Sequence, residues 1–264
     1  MNRRNRPAAA SKRAAPSRAV ERIYGVHAVR AALANTRRVI SAIHATKNGR
    51  DRLADVLGHN AIEARDVSPS KLTRILGSDA VHQGVMVEAA PLEPPALEAI
   101  VERARQGRPI IVLDQSTDPH NAGAILRSAA AFNACALVMT RRNSPPLDGA
   151  LAKAASGAVE HVPVILVANL ARALEELGRA GVFRIGLESG ADQPLESAAP
   201  QNPCALVLGA EHKGLRRLTA KNCDLLCRVT TRGALTSLNV SNAAAIALHT
   251  LATRADIQHP KSYR

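Results

Sequence analysis

Ile110-Ile-Val-Leu113-Asp-Gln-Ser-Thr-Asp118-Pro-His-Asn121-Ala-Gly123-Ala-Ile-Leu-Arg127-Ser128 sets four continuous apolar residues ahead of a polar turn and a helix-forming run. A short apolar run of this kind suits a strand buried on both faces, and Asp118-Pro119 suits the turn into a helix. Polar residues mark the same sort of hand-over in two later segments. These are Leu208-Gly209-Ala-Glu211-His-Lys-Gly214-Leu-Arg216-Arg217 and Leu235-Thr-Ser237-Leu238-Asn239-Val-Ser241-Asn242.

Between and around these segments, strand-like runs at 110–113, 136–139, 162–166, 182–187, 205–208 and 226–229 alternate with helical stretches at 121–132, 147–156, 169–178 and 240–253. Such alternation predicts an α/β fold with a parallel sheet covered by helices on both faces. Ligands of such sheets gather at the carboxyl ends of the strands, where all three polar segments fall.

Upstream, residues 20–90 read as a small α/β unit of their own. Helices are predicted at 26–33, around 51–57 and after Ser68-Pro69, and strands at 39–44, 61–67 and 85–87. Pro91, Pro94 and Pro95 interrupt any regular element and place a linker over 91–108, with a short helix at 96–105, so the second domain spans 109–264. Residues 1–19 carry six basic residues and no acid, with no apolar periodicity, and are expected to form a disordered basic tail.

The 264-residue chain carries a formal net charge of +13, which points to a polyanionic partner. With 46% apolar residues it has enough to build a core, yet no run approaches the ~20 apolar residues of a membrane span. Only four aromatic residues are present (Tyr24, Phe132, Phe183, Tyr263), too few for the stacking platforms of single-strand binders. Cys135 and Cys204 open strand-like runs and read as core residues. Cys223 and Cys227 form a C-x₃-C pair with no second pair to complete a metal site, so no metal is expected. A reducing compartment is implied.

Each polar segment admits a plain reading and a functional one. Asn121 is a candidate N-cap, Gly123 lets a ligand or another backbone come close, and the long stem of Arg127 can fold back along its helix toward Asn121. A capped helix with a solvent-facing arginine would look the same. In the second segment, Gly209 and Gly214 have the spacing of a phosphate loop but lack the Lys and Ser or Thr that should follow, and no G-x-G-x-x-G occurs anywhere. Glu211 could serve chemistry or merely the dipole of a helix N-terminus. Ser237 and Asn239 could cap the Ala-rich helix after them, or hold a sugar hydroxyl or a cofactor carboxylate.

Taken together, in order and spacing, the three segments resemble the signature motifs of the SpoU-type RNA ribose methyltransferases of the SPOUT superfamily. Ile23-Tyr24-Gly25-Val26-His27-Ala28-Val29 resembles the opening of their small RNA-binding domain. The resemblance implies transfer of a methyl group from S-adenosylmethionine to a ribose 2′-hydroxyl of RNA. Its expected target is a guanosine in the P loop of large-subunit ribosomal RNA. Transfer RNA, or a non-catalytic role in ribosome assembly, is the alternative.

The resemblance also implies a C-terminal trefoil knot, a homodimer and a cytoplasmic location, with no membrane or DNA partner. By position, it makes Asn121, Arg127, Glu211, Ser237 and Asn239 the catalytic set, and Gly209, Val229 and Leu238 the cofactor contacts. His212 and Lys213 depart from the small or acidic residues usual there and add positive charge to the second motif.

Overall fold

The computed structural model describes residues 20–58, 62–147, 149–198, 202–210, 213–234 and 237–258, with side chains through residue 253. The expected disordered tail at 1–19, the catalytic candidate Glu211, and the residues His212 and Tyr263 lie outside the described residues.

The first unit is a mixed four-stranded sheet. Its elements are β1 (Glu21–Tyr24), α1 (Val26–Ala34), β2 (Ile40–Ala45), α2 (Lys47–Arg52), α3 (Ala54–Leu57), β3 (Ala64–Asp66), α4 (Pro69–Leu76) and β4 (Val85–Ala89), with strand order β1-β4-β2-β3. β4 pairs antiparallel with β1 and β2, and β2 runs parallel to β3. Ser68 starts α4 by accepting a hydrogen bond from the Lys71 N–H, with Pro69 in the first turn, where its missing N–H costs nothing. The single helix expected around 51–57 is two short ones that meet at Leu53, a fully buried core residue.

The second unit follows as α5 (Leu97–Arg105), β5 (Ile110–Leu113), α6 (Pro119–Ala131), β6 (Ala136–Thr140), α7 (Gly149–Ala154), β7 (Val164–Val167), α8 (Leu170–Arg179), β8 (Phe183–Leu187), β9 (Gln193–Pro194), β10 (Cys204–Leu208), α9 (Arg217–Lys221), β11 (Leu225–Arg228) and α10 (Val240–Gln258). A single 3-10 turn, Ala158–Glu160, lies between α7 and β7. The seven strands are ordered β7-β6-β5-β10-β8-β11-β9, and every pairing is parallel.

Strand alternation divides the central residues between two cores. Ile111, Leu113, Leu137, Met139, Leu206 and Leu208 face α6, α7 and α10; Ile110, Val112, Ala136, Val138, Ala205 and Val207 face α5 and α8. This is the expected α/β class, a parallel sheet with helices on both faces behind a small α/β unit.

The start of α6 differs from expectation. Asp118, not Asn121, is the N-cap: its carboxylate accepts from the His120 N–H at 2.9 Å, with Pro119 in the first turn. Asn121 sits inside the helix and is 8% exposed. Gly123 admits backbone rather than ligand, since a Cβ there would lie 2.5 Å from the Ala154 Cβ and 2.9 Å from the Ala155 nitrogen. The close packing of α6 on α7 depends on it.

All four cysteines are free thiols. Burial pushes Cys135 up to about 11 and Cys204 and Cys223 up to about 12, so none of these three is a thiolate at neutral pH. Among the described residues no cluster of His, Cys, Asp and Glu could hold a metal ion, and no helix is long and apolar enough to cross a membrane.

Candidate active site

β10 sits between β5 and β8, the point at which strand order turns back on itself, and the carboxyl ends beside it open into a cavity of about 710 Å³. Small-molecule sites run from roughly 300 to 1,000 Å³ and favour such switch points. The walls come from Leu187 to Gly190 at the end of β8, Leu208 to Ala210 with Lys213 and Gly214 after β10, Val229 and Thr231 after β11, and Ser237 to Val240 leading into α10. Of the residues the sequence nominated, Gly209, Val229, Ser237, Leu238 and Asn239 line this one cavity.

The loop after β10 is folded back on its own strand. The Gly214 N–H donates to the Ala210 carbonyl at 3.0 Å, and Gly214 adopts a left-handed φ of 62°. A Cβ on Gly209 would lie 2.1 Å from the Gly214 carbonyl carbon and 2.5 Å from the Leu215 nitrogen, so the return requires glycine at 209.

Asp114, 1% exposed, pins the far side of this loop. One carboxylate oxygen accepts from the Arg216 backbone N–H at 3.0 Å, and the other from Nε and Nη2 at 2.7 Å each. The Asp114 N–H itself donates to the Leu208 carbonyl, which ties the ends of β5 and β10 together. Asp114 was missed in the sequence because its partner lies 102 residues away, although an acid directly after a buried strand was a visible signal. Asp114→Asn is expected to raise KM for the cofactor about tenfold or more, since a hydrogen bond to a charged group contributes ~1.5–3 kcal/mol. An unchanged KM would remove Asp114 from the account of the pocket.

Asn239 does two things at once. Its side-chain oxygen accepts from the Ser241 N–H at 2.8 Å and the Ser241 hydroxyl at 2.6 Å, which caps α10; its amide nitrogen donates to the Asn121 side-chain oxygen at 3.0 Å. The first and third motifs are thereby joined across 118 residues. Arg127 stands apart: it is exposed, does not line the cavity, and its side chain makes no hydrogen bond or ion pair with any described residue. Six residues separate it from Asn121 along α6, roughly 9 Å at ~1.5 Å per residue.

The cavity lining is chemically mixed. Leu187, Leu208, Val229, Leu238 and Val240 supply apolar surface, Ser189, Thr231, Ser237 and Asn239 supply hydrogen-bonding groups, and Glu188 and Lys213 supply one charge of each sign. A nucleoside bearing a zwitterionic amino-acid arm fits such a donor set.

Two family models match the chain, one over the parallel-sheet unit and one over the small mixed sheet before it. One, the SpoU rRNA methylase family, covers residues 108–249; the other, RNA 2′-O ribose methyltransferase substrate binding, covers 22–95. The chain belongs to the SpoU rRNA methylase family. The 23S rRNA (guanosine-2′-O-)-methyltransferase RlmB of Pseudomonas aeruginosa is 37% identical, over 86% of this chain and 94% of that protein. RlmB of Ralstonia nicotianae is 41% identical, over 86% and 92%. The crystal structure of the SpoU methyltransferase AviRb from Streptomyces viridochromogenes, in complex with the cofactor AdoMet, shares the fold with a TM-score of 0.75 over 89% of each chain, at 20% identity.

Proposed function

We propose that the protein transfers a methyl group from S-adenosylmethionine to the ribose 2′-hydroxyl of a guanosine in 23S ribosomal RNA, acting as a cytoplasmic homodimer. The observation that carries this reading is the convergence of the second and third motifs on one cavity, with the first joined to it through Asn121 and Asn239. The names of the relatives, alignable over nearly the whole of their length, supply the target. The threaded C-terminal knot belongs to the same reading, as does the division into a tail (1–19), an RNA-binding unit (20–90), a linker (91–108) and a methyl-transfer unit (109–264).

In this reading Gly209, Val229 and Leu238 hold the cofactor, with Glu188 and Lys213 placed to meet charges of opposite sign on its amino-acid arm. When bound, S-adenosylmethionine supplies a methyl group on a positively charged sulfur. The protein's own task is chiefly positioning, because a ribose hydroxyl is a weak nucleophile that must be held in line. Ser237 and Asn239 orient the groups at the cavity mouth, and Asn121 fixes the amide of Asn239. Arg127, exposed and without a side-chain partner among the described residues, engages the RNA phosphate beside the target ribose and stabilises charge developing on its oxygen. Glu211 is assigned by motif alone.

The test is transfer of label from S-adenosylmethionine to unmodified 23S ribosomal RNA and, in parallel, to bulk transfer RNA, with the product mapped by resistance to alkaline cleavage. One resistant guanosine in the ribosomal RNA is expected. Label in transfer RNA alone would overturn the target, and no label in either would overturn the reaction. Deleting residues 1–19 removes six positive charges. It is expected to weaken RNA binding and flatten its dependence on salt, leaving cofactor affinity unchanged; a filter-binding salt series that superimposes on the full chain's would rule the tail out as an RNA contact.

A further inference from the structure

The two units are joined by a buried polar cluster that the methyl-transfer chemistry does not use. Arg38, in the turn between α1 and β2, reaches across to Glu160 in the 3-10 turn of the large unit. Their side chains are 1% and 3% exposed. Arg38 Nη2 donates to Glu160 Oε1 at 2.7 Å, and Nε lies 3.1 and 3.2 Å from the two carboxylate oxygens. Nη1 donates to Glu21 Oε2 at 2.7 Å and to the Ala90 carbonyl at 2.9 Å, while the Asn35 amide donates to Glu160 Oε2 at 2.7 Å. Burial, the largest single influence, works against the charge on Arg38, but the hydrogen bonds and charges of Glu160 and Glu21 together outweigh it and raise its pKa.

Around this cluster the backbones interlock. Gly157 has a φ of 90°, and a Cβ there would lie 2.4 Å from the Ala31 Cβ and 3.2 Å from the His27 carbonyl, both on α1. Ala152 of α7 belongs to the core of the small sheet. A simple flexible tether needs none of this. Burying an ion pair is a poor route to stability, because desolvation offsets most of the attraction, and its best-attested use is to fix one geometry among several.

We propose that the Arg38–Glu160 joint is a positioning device: it fixes the distance from the RNA-binding sheet to the methyl-transfer cavity and so selects which ribose of the bound RNA is modified. The inference rests on the function proposed above. Relaxing the joint should leave cofactor binding intact, let the cavity reach neighbouring riboses, and lower productive encounters with the correct one. Misplacement of about 1 Å can cost on the order of 10²-fold in rate.

The experiment uses the full-length protein with Glu160→Gln and, as a variant that keeps the positive charge, Arg38→Lys. In each, thermal unfolding, KM for S-adenosylmethionine, kcat and KM for ribosomal RNA, and the map of methylated nucleotides are measured. Distances between spin labels at Ser78 and Glu175, placed with Cys223→Ala, report the joint directly. Expected are a cofactor KM like the wild type's, a kcat/KM for RNA lower by about tenfold to a hundredfold, methylation at additional riboses, and a broadened distance distribution. Loss of folded protein alone would lower kcat with the same KM and the same single site, and that pattern overturns the proposal. So does a distance distribution as narrow as the wild type's. If the wild type methylates no RNA, the function reading falls, and the joint then stands or falls on the label distances.

Discussion

Arg127→Ala is expected to lower kcat for RNA methylation by on the order of 10²–10³-fold, the usual cost of removing a group aimed at developing negative charge. The fold should hardly notice. Arg127 is exposed and has no partner among the described residues, and surface substitutions of that kind stay within about 0.5 kcal/mol. Cofactor affinity should be unchanged, because Arg127 does not line the cavity. The proposed role is that of a fixed fork of donors rather than a base.

Two measurements follow from that assignment. The pH–rate profile should show no limb that disappears in Arg127→Lys. The lysine variant, which keeps the charge and loses the fork, should fall between wild type and alanine. Single-turnover kinetics with saturating cofactor make the comparison. Wild-type rates in Arg127→Ala would remove Arg127 from the chemistry altogether, and equal rates for lysine and arginine would reduce its role to that of a point charge.

The central strands were legible because they are buried on both faces and therefore written as unbroken apolar runs: Ile110–Leu113, Ala136–Thr140 and Cys204–Leu208. Elements without that signature escaped. β1 begins with two charged residues, β9 is only Gln193 and Pro194 at the edge of the sheet, and α9 is a five-residue helix too short to show a period. Asn121 was misplaced as a cap although the sequence held the answer, since Pro119 suits the first turn of a helix and makes Asp118 the residue before it the cap.

The polar links that assemble the site were not legible by pattern. Asn121 to Asn239, Asp114 to Arg216 and Arg38 to Glu160 each span more than 100 residues, and no local rule pairs a buried asparagine or arginine with a partner so distant. Motif order named Gly209, Val229, Ser237, Leu238 and Asn239, which line one cavity, and Asn121, which is tied to it through Asn239, while Arg127 stands apart. For Asn239 the plain reading is realised, because its side-chain oxygen caps α10, and its amide nitrogen reaches Asn121, a contact that neither reading named.

Gly209→Ala is expected to abolish measurable cofactor binding in titration calorimetry while the protein still folds. The added methyl would fall 2.1 and 2.4 Å from the Gly214 carbonyl carbon and oxygen and 2.5 Å from the Leu215 nitrogen. These are backbone atoms, so no side chain can rotate aside and the loop itself must move. Ala210, Lys213 and Gly214 of that loop line the cavity, and Asp114 restrains its far end through Arg216, so displacement at 209 distorts the wall instead of dissipating into solvent. Overpacking of this sort costs ~1–3 kcal/mol of stability, less than most domains possess. Gly233→Ala, where a Cβ meets no described residue within 4 Å, is the matched control and should bind cofactor as the wild type does. Were Gly209→Ala to bind equally well, the folded-back loop could not be the conformation that holds the cofactor, and Gly209 would be left with a role in strand termination alone.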